Sequence, residues 1–444
     1  MDKLALKQRC CAAIDAHREQ IIALAEDIYR NPEMGYHEFR STEKVASLLS
    51  ELGLDVTSGI AYTGCEAKAG KENGPVVAVM GELDSLNCPD HPDCAANGNM
   101  HSCGHHAQLA YLYGCAIGLI KADILPELSG SVKFIAIPAE ECVELDYRNA
   151  LIEQGKIAYY GGKQEYLRRG GMDDVDMILQ AHLINTGDKL TCLNTDCNGF
   201  ITKTVRFLGR AAHAGFAPHE GVNALNMANI AISSIHALRE TFRDEDKIRV
   251  SAIITKGGDM VNVVPAEVEM QIMVRAFTVE PMLETSQKID RALKAGALAL
   301  GGQVEIQNRI GYLPMQSSRP LTSVYEQNFR DFTGCGDDAF IEPYQTSGST
   351  DLGDMSQLVP SLLIWTGGIS GALHAKDFKV VDPEAAYILP TKMLAMTVID
   401  LLYGDAEVAK NVMASFTPTF RDKQEYLAFL ENHSRVDLFD GSTF

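Results

Sequence analysis

The sequence lacks the features that mark a membrane or secreted protein. No stretch approaches the roughly 18 consecutive apolar residues that a membrane-spanning helix needs. The first residues, MDKLALKQRC, carry charge and contain no apolar signal-peptide core. The 11 cysteines are odd in number and scattered, which favours reduced thiols over a disulfide framework. These absences predict a cytoplasmic protein without a membrane segment.

Basic residues are scarce as well. The 39 lysines and arginines are outnumbered by 59 aspartates and glutamates, so the net charge is −20. An acidic surface repels nucleic-acid phosphates and anionic lipids, and we expect neither as a partner. The length of 444 residues exceeds the ~250–300 residues at which single cores stop growing, so two domains are expected.

The residue types best suited to bind a metal are concentrated in MHSCGHH, residues 100–106. A thiolate and imidazoles together suit Zn²⁺ or a neighbouring first-row metal. Gly104 permits a sharp turn, and residues 107–120 predict a buried helix, so this group lies where a loop enters a helix. One alternative is a small structural metal site formed by Cys88, His91, Cys94 and Cys103, although their spacing fits no closed four-ligand pattern.

Three apolar runs in the first 200 residues are followed by acids or by a histidine. They are 76–83 before Asp84, 132–137 before Glu140 and Glu141, and 175–179 before His182. Continuous apolar runs predict strands buried on both faces of a helix-covered sheet. Because open α/β sheets place their sites at the carboxyl ends of strands, we expect these polar groups to lie close together.

Glu140 and Glu141 are adjacent, and adjacent side chains on an extended segment face opposite sides. One carboxylate can then bind a metal while the other serves as a general base, which is the division that metal-assisted hydrolysis needs. Taken singly, each of these residues has an ordinary structural explanation, and only the whole set indicates a metal site. The set would supply five ligands for two metals that share a water, namely Cys103, His105, Glu141, His182 and His374.

From about residue 201 the pattern changes to strand, helix, strand, strand, helix, strand. Residues 268–274 alternate apolar with charged or polar side chains, which is typical of a sheet with one solvent-facing side. This order is that of a ferredoxin-like domain. The sequence therefore predicts such a domain at residues 199–311, inserted into a larger α/β domain formed by residues 1–198 and 312–444.

Eight features in one order resemble a known family. They are GELD (81–84), MHSCGHH (100–106), PAEE (138–141), the strand end at His182, GRAAHAGFAP (209–218), GGDMVNVVP (257–265), GSTDLGD (348–354) and the late His374. Together they resemble the amidohydrolase branch of the aminoacylase and glutamate-carboxypeptidase metallopeptidases, metallopeptidase family twenty, subfamily D. The resemblance spans roughly residues 15–400, and GELD and GSTDLGD are most similar to the aminobenzoyl-glutamate and dipeptidase members.

The resemblance implies a zinc-peptidase-like catalytic domain with a central mixed sheet, two divalent ions (Zn²⁺ or Mn²⁺) and a lid domain that forms a homodimer. By position it implies the five metal ligands above and Glu140 as the general base. His213 matches a lid histidine that polarises the scissile carbonyl, in some members from the partner subunit. Asn262 and Arg275 match positions for the substrate's carboxylate and amide, and Asp84 is expected beside the ligands.

Three features depart from the family pattern. His106 replaces the usual Asp or Asn, so it could itself be a ligand or could orient His105. Residues 147–171 form a longer segment than the simplest members have, and Asn87 stands where many relatives have Pro. A further alternative is that Arg275 is only a cross-strand partner of an acid on its own strand, Glu267 or Glu269.

The reaction implied is hydrolysis of an amide in an N-acyl amino acid, an aminobenzoyl-glutamate-like conjugate or a dipeptide. The products are a carboxylic acid and an amino acid. Two alternatives stay open at this point: metal-assisted deamination of an aromatic amine, and a binding protein on the same scaffold that has lost catalysis. The intact Glu140 argues against the second.

Overall fold

The structure is a computed structural model that describes residues 2–193, 195–341, 345–346 and 348–443. The chain folds into two compact units, each built from more than one segment. The first unit contains Met1–Asp196, Gln316–Gln345 and Asp354–Phe420, and the second contains Cys197–Met315, Thr346–Gly353 and Arg421–Phe444.

An eight-stranded mixed sheet forms the centre of the first unit. Its strands in spatial order are Val56–Ile60, Gly64–Gly70, Ser131–Ile137, Val76–Glu82, Met177–Leu183, Ser361–Thr366, Thr191–Cys192 and Phe340–Ile341. The four long strands from Ser131–Ile137 to Ser361–Thr366 run parallel, and the first two strands pair antiparallel. Every residue of the Val76–Glu82 strand is buried, because both faces of the sheet are covered. The predicted α/β class with a mixed central sheet is confirmed.

Helices surround this sheet. They are Lys3–Ala16, Arg18–Arg30, Phe39–Glu51, His105–Lys121, Leu145–Glu153, Gly162–Arg168, Arg319–Thr333, Leu389–Leu402 and Glu407–Ser415, with a π-helical turn at Glu384–Ile388. Two short strand pairs, Leu86–Asn87 with Asn99–Met100 and Ile369–Ser370 with Lys379–Val380, lie in the loops. The His105–Lys121 helix is buried on all sides from its first residue to Leu119, as its apolar sequence predicts.

One helical segment, Glu384–Leu402, is long and apolar enough to cross a membrane, with a mean hydropathy of 1.4. The expectation that no stretch approaches this limit is therefore wrong for these residues. Within the unit 89% of the segment is buried. A helix that is apolar all round is either buried in a protein core or embedded in a membrane, and burial in the core accounts for the composition of this segment.

The second unit contains a five-stranded antiparallel sheet. Its strands in spatial order are Arg249–Lys256, Glu267–Ala276, Gly199–Leu208, Gln303–Tyr312 and Val436–Asp440. Helices Ala224–Leu238 and Val279–Leu300 connect the first four strands in the predicted ferredoxin-like order, and helix Lys423–His433 precedes the last. On the Glu267–Ala276 strand, alternate residues are buried against these helices.

The second unit extends beyond the predicted range of 199–311. Residues 421–444, which the sequence division leaves with the larger domain, add the fifth strand by pairing antiparallel with Gln303–Tyr312. Residues 346–353 also lie in this unit. No alternating apolar pattern marks the Val436–Asp440 strand, because none of its residues is fully buried. The short strands Asp196–Cys197 and Gln345–Thr346 lie where the chain passes between the units.

Candidate metal centre

The polar groups predicted to meet do lie at one edge of the first unit's sheet. The Val76–Glu82 and Ser131–Ile137 strands are parallel and in register to their ends, where Glu82 pairs with Ile137. Asp84 follows the first of these ends, and Glu140 and Glu141 follow the second. His182 lies near the end of the neighbouring Met177–Leu183 strand. Parallel strands therefore deliver these side chains to the same place.

Six predicted residues come together there in three overlapping groups, within each of which the possible ligand atoms lie no more than 4.8 Å apart. The groups are Cys103 with His105 and His182, Cys103 with Glu141 and His374, and His105 with Glu140 and Glu141. Cys103 Sγ lies 3.5 Å from His182 Nε2, and His374 Nε2 lies 3.0 Å from Glu141 Oε1. All five predicted ligands and the predicted base thus belong to one cluster.

Local backbone geometry brings the loop residues into this cluster. Gly104 adopts a left-handed conformation (φ 93°) immediately before the His105–Lys121 helix, so Cys103 and His105 can face the same point. His374 also has a positive φ of 60°, and its N–H donates to the carbonyl of Ser102 at 2.9 Å. A strained backbone held by a hydrogen bond is characteristic of functional sites.

The ring orientations of two histidines follow from their hydrogen bonds. His105 Nδ1 donates to the backbone carbonyl of Asp84 at 2.8 Å, and His182 Nδ1 donates to the carbonyl of Leu183 at 2.8 Å. A carbonyl only accepts, so the proton of each neutral ring lies on Nδ1 and Nε2 carries the lone pair. This is the arrangement of a metal-binding imidazole with its other nitrogen held by the protein.

Two of the buried ligand atoms in this cluster, His105 Nε2 and Glu141 Oε1, form no hydrogen bond among the described residues. Each nevertheless lies within ion-pair distance of an ionisable group, since Glu82 Oε2 is 3.1 Å from His105 Nε2 and His374 Nε2 is 3.0 Å from Glu141 Oε1. Leaving a buried polar atom unsatisfied costs about 1–3 kcal/mol, so native proteins rarely do so without a purpose. A set of one thiolate, three imidazoles and a carboxylate suits a divalent first-row metal. The residues present therefore fit the metal that the sequence predicts.

Burial also shifts the pKa values of two of the predicted ligands, His182 and Cys103. It lowers the pKa of His182 to about 4, with a further contribution from His105, so this imidazole is neutral and able to bind metal at neutral pH. Burial, together with the carboxylate of Glu141, raises the pKa of the Cys103 thiol well above its ordinary value. A thiolate at this position thus requires a cation beside it.

Sequence reasoning did not include Glu82 among the site residues. Glu82 Oε2 lies 3.1 Å from His105 Nε2, and a Glu82 oxygen lies within 4.8 Å of one of Glu140. Lys163 Nζ contacts Glu82 Oε1 at 2.6 Å, while Gln108 and Gln180 donate to the same carboxylate. The only signal for it was its place in GELD at the end of a buried strand.

Asp84 lies beside the ligands, as predicted. Its Oδ1 is 3.2 Å from His105 Nδ1, and its Oδ2 accepts the N–H of Glu141 at 2.8 Å. His106 lies apart from all the ligand groups found among the described residues. Its Nε2 is 3.2 Å from the hydroxyl of Tyr387, and Tyr29 packs edge-on against its ring. The alternative that His106 is itself a ligand has no support in this geometry.

The alternative structural site around Cys88 is likewise not formed within the described parts of the chain. His91 Nε2 lies 2.8 Å from the carbonyl of Phe378, and its Nδ1 accepts the N–H of Asp93. Both ring nitrogens are therefore in use. All 11 cysteines of the sequence fall among the described residues, and none of them forms a disulfide.

His213, Asn262 and Arg275 belong to the second unit. His213 and Asn262 are exposed and lie on neighbouring chain segments, since the N–H of Ala214 donates to the Asn262 carbonyl at 3.0 Å. His213 Nδ1 accepts backbone N–H groups from Gly215 and Phe216, which fixes its ring.

Arg275 Nη1 donates to Ser349 Oγ at 3.1 Å, and its guanidinium lies over the Phe200 ring. Of the two acids considered as cross-strand partners of Arg275, Glu267 and Glu269, the first binds Arg206 at 2.7 Å. Arg275 is half-buried, and burial lowers the pKa of its guanidinium.

Comparison with known proteins shows which family the chain resembles. Residues 198–299 match the model of the peptidase dimerisation domain of the M20 family. Over 441 residues the chain is 27% identical to the Xaa-Arg dipeptidase of Mus musculus, covering 94% of each protein. It is 28% identical over 429 residues to a p-aminobenzoyl-glutamate hydrolase chain of Escherichia coli, covering 92% of this chain and 82% of that one. The chain is therefore similar to M20 peptidases and amidohydrolases along most of its length.

The fold agrees with this similarity. A dinuclear metal-binding M20 peptidase of Bacillus subtilis superposes with a TM-score of 0.67 at 22% identity, covering 87% of this chain and 99% of that one. At that identity the superposition speaks for the fold alone. The family resemblance predicted from the motifs is therefore confirmed, and the roles of the individual residues stay predictions.

Proposed function

We propose that this protein is a metal-dependent amidohydrolase. Its substrates are N-acyl amino acids, aminobenzoyl-glutamate-like conjugates or dipeptides, and its products are a carboxylic acid and an amino acid. The observation that carries the proposal is the buried cluster at the sheet edge, in which ligand atoms of His105 and Glu141 have no hydrogen-bond partner among the described residues. The relatives named above are a dipeptidase and a hydrolase of an aminobenzoyl amide.

Five residues hold two divalent ions in this proposal: Cys103, His105, Glu141, His182 and His374. Bound divalent metal supplies Lewis acidity and lowers the pKa of water at the site. The mixed donor set accommodates Zn²⁺ or Mn²⁺, and availability rather than affinity alone decides between them. Asp84 orients His105 through its carbonyl, and so fixes the lone pair of Nε2 toward the centre.

Glu140 is the general base. It is 8% exposed, and one of its oxygens lies within 4.8 Å of ligand atoms of His105 and Glu141. From there it takes a proton from the attacking water and returns it to the leaving nitrogen, so one carboxylate serves both halves of the reaction. Because the neighbouring Glu141 binds metal, the two adjacent acids divide ligand and base between them.

The second unit supplies substrate contacts in this proposal. His213 polarises the scissile carbonyl, while Asn262 and Arg275 bind the substrate's amide and carboxylate. A guanidinium suits this task because it can donate two parallel hydrogen bonds to a carboxylate. The match of residues 198–299 to a dimerisation domain supports a homodimer formed through this unit. The net charge of −20 and cysteines that form no disulfide favour a cytoplasmic protein that binds neither nucleic acid nor membrane.

Amine release from a substrate panel tests the function. The panel contains N-acyl amino acids, dipeptides and aminobenzoyl-glutamate, and each is incubated with Zn²⁺ or Mn²⁺ and in parallel with a chelator. We expect chelator-sensitive release from one subset, which also names the substrate class. Release of ammonia from an aromatic amine would instead indicate deamination. Bound metal without any turnover would indicate a non-catalytic binding protein.

A further inference from the structure

Residues 138–141, which we call the acid loop, carry both Glu140 and Glu141. Ala139 adopts a positive φ of 57°, which is costly for a residue with a side chain. Four contacts from other parts of the chain hold the backbone of Ala139 and Glu141. Two carboxyl groups accept the N–H groups of these residues. Glu38 Oε1 accepts from the N–H of Ala139, and Asp84 Oδ2 accepts from the N–H of Glu141, each at 2.8 Å.

The two carbonyl groups of the same residues are held as well. The N–H of Gly162 donates to the Ala139 carbonyl at 3.2 Å, and Arg148 Nη2 donates to the Glu141 carbonyl. Every backbone N–H and C=O of Ala139 and Glu141 thus has a partner from outside the loop. An over-determined backbone of this kind keeps a strained conformation in place.

Glu38 is fixed on both of its oxygens. It is fully buried immediately before the Phe39–Glu51 helix, and its Oε2 accepts from the Thr63 hydroxyl at 2.7 Å while Oε1 accepts from Ala139. Burial, and next to it the Asp84 carboxylate, raises the pKa of Glu38 to about 8. A neutral Glu38 accepts the Ala139 N–H as an amide oxygen would, so a glutamine can replace it in this contact.

Arg148 holds the loop from the segment of residues 147–171. It lies in the Leu145–Glu153 helix, is fully buried, and also donates to the carbonyl of Tyr160 at 2.6 Å. Its guanidinium lies 5.4 Å from the centre of the Tyr36 ring. A small apolar cluster anchors the segment, made of Tyr36, Ala139, Leu151 and Ile157.

Two glycines allow this close approach. A Cβ on Gly35 would lie 2.5 Å from Arg148 Nη2 and 3.1 Å from the Cα of Ala139. A Cβ on Gly162 would lie 1.7 Å from the carbonyl oxygen of Pro138. Substituting Gly35 with alanine would therefore displace Arg148 without removing any polar group.

We propose that Glu38 and Arg148 are positioning residues that fix the acid loop from two sides, so that Glu140 and Glu141 face the metal centre. The catalytic consequence rests on the function proposed above, whereas the effect on the loop does not. Residues 147–171 then support the acid loop through Arg148 and Gly162. Misplacing a reacting group by about 1 Å can cost ~10²-fold in rate even when the mutation lies away from the chemistry.

The test compares conservative with non-conservative variants in the full chain. Glu38→Met and Arg148→Met remove the contacts but keep side-chain volume, and Gly35→Ala displaces Arg148. Glu38→Gln keeps the acceptor for Ala139. Asp400→Asn is the matched control, since it weakens a buried polar contact with Lys7 and Asn328 elsewhere in the first unit.

Two measurements are made on each variant. Hydrogen exchange followed by mass spectrometry reports on the peptide containing residues 136–144, and steady-state kinetics with metal analysis report on the site. For Glu38→Met, Arg148→Met and Gly35→Ala we expect exchange at least ~10-fold faster and kcat lowered ~10–100-fold, with KM within about 3-fold. Glu38→Gln should stay within about 3-fold of the wild type in both.

Three results would overturn the proposal. The first is wild-type exchange of this peptide in all three non-conservative variants, and the second is an equal effect of Asp400→Asn. The third is a loss of turnover that added metal restores completely, because the residues would then act on affinity alone. If the wild type hydrolyses nothing, the proposed function fails, and the exchange data still decide whether Glu38 and Arg148 hold the loop.

Discussion

In the second unit the buried ammonium of Lys203 donates to three acceptors. Ser286 Oγ, Asp290 Oδ1 and Asn308 Oδ1 lie 2.7, 2.6 and 2.6 Å from its Nζ. An ammonium has three N–H donors, so its hydrogen-bonding capacity is filled. A buried charge satisfied in this way adds no affinity for a further ligand.

At the sheet edge of the first unit, by contrast, some buried polar atoms form no hydrogen bond. Nε2 of His105 and Oε1 of Glu141 have no hydrogen-bond partner among the residues described, although histidines, acids and a thiol surround them. These two atoms lie 3.1 and 3.0 Å from Glu82 and His374, so the ionisable groups face one another where a bound cation could lie among them. Comparing the two regions shows that burial of charge alone does not mark a site, whereas several buried ligand atoms that face one point without forming hydrogen bonds do.

The largest expected effect is that of Glu140→Gln. The variant keeps size and hydrogen bonding but loses the base, so kcat should fall by about 10²–10⁴-fold while the bound metal is unchanged. Turnover and metal content are measured on the same preparation. Glu144→Gln, four positions later and exposed, is the control and should remain near the wild-type rate. A near-normal rate for Glu140→Gln would remove it as the base.

The next effect concerns stability in the second unit. Lys203→Met leaves three buried acceptors without their donor, so the free energy of unfolding should fall by about 3–5 kcal/mol. Chemical denaturation measures this, with Lys294→Met as the control, because Lys294 pairs with Asp437 near the surface. We expect the control to lose less than about 1 kcal/mol. Equal losses would mean that the Lys203 contacts are not a stability element.

Arg275→Ala should act on substrate binding. Hydrogen bonds to a charged group contribute about 1.5–3 kcal/mol, so KM for substrates with a free carboxylate should rise about 10–100-fold. The corresponding carboxamides should change little. Arg206→Ala removes an arginine of the same sheet that is paired with Glu267, and it serves as the control. Equal changes for acids and amides would take Arg275 out of the substrate site.

The smallest effect is expected for His106→Asn. The His106 ring packs against Tyr29 and Tyr387, away from the ligand groups, so metal content should be unchanged and kcat should stay within about 3-fold. His182→Asn, which removes a proposed ligand, is the positive control and should lose metal. Loss of an ion from His106→Asn would restore the hypothesis that His106 is a ligand.

The ligand cluster could be predicted because its members stand at the ends of apolar runs. Glu141 follows one run and His182 another, and in a parallel sheet such ends meet. Supporting residues gave no such signal. Glu38 contacts Ala139 across 101 positions of sequence, and nothing local distinguishes it from a surface acid. Arg148 likewise sits in a segment that reads as polar and charged, yet it is fully buried.

The boundaries of the second unit could likewise be predicted only where side chains are buried. Alternate residues are buried on three of its strands, Gly199–Leu208, Glu267–Ala276 and Gln303–Tyr312, because helices cover one side, and the sequence predicts the order of these strands. Residues 421–444 were not predicted to join them, since the Val436–Asp440 strand pairs through its backbone and has no fully buried side chain. Backbone pairing without burial leaves little trace in the pattern of side chains.

The most direct test of the central claim is a count of bound metal ions. The purified protein is stripped with a chelator, equilibrated with Zn²⁺ or Mn²⁺, dialysed and analysed by mass spectrometry, beside variants His105→Asn and Glu141→Gln. We predict two ions per chain in the wild type, fewer in each variant, and a melting temperature that rises on metal addition in the wild type. A wild type that retains no ion and whose melting temperature is unmoved would contradict the account.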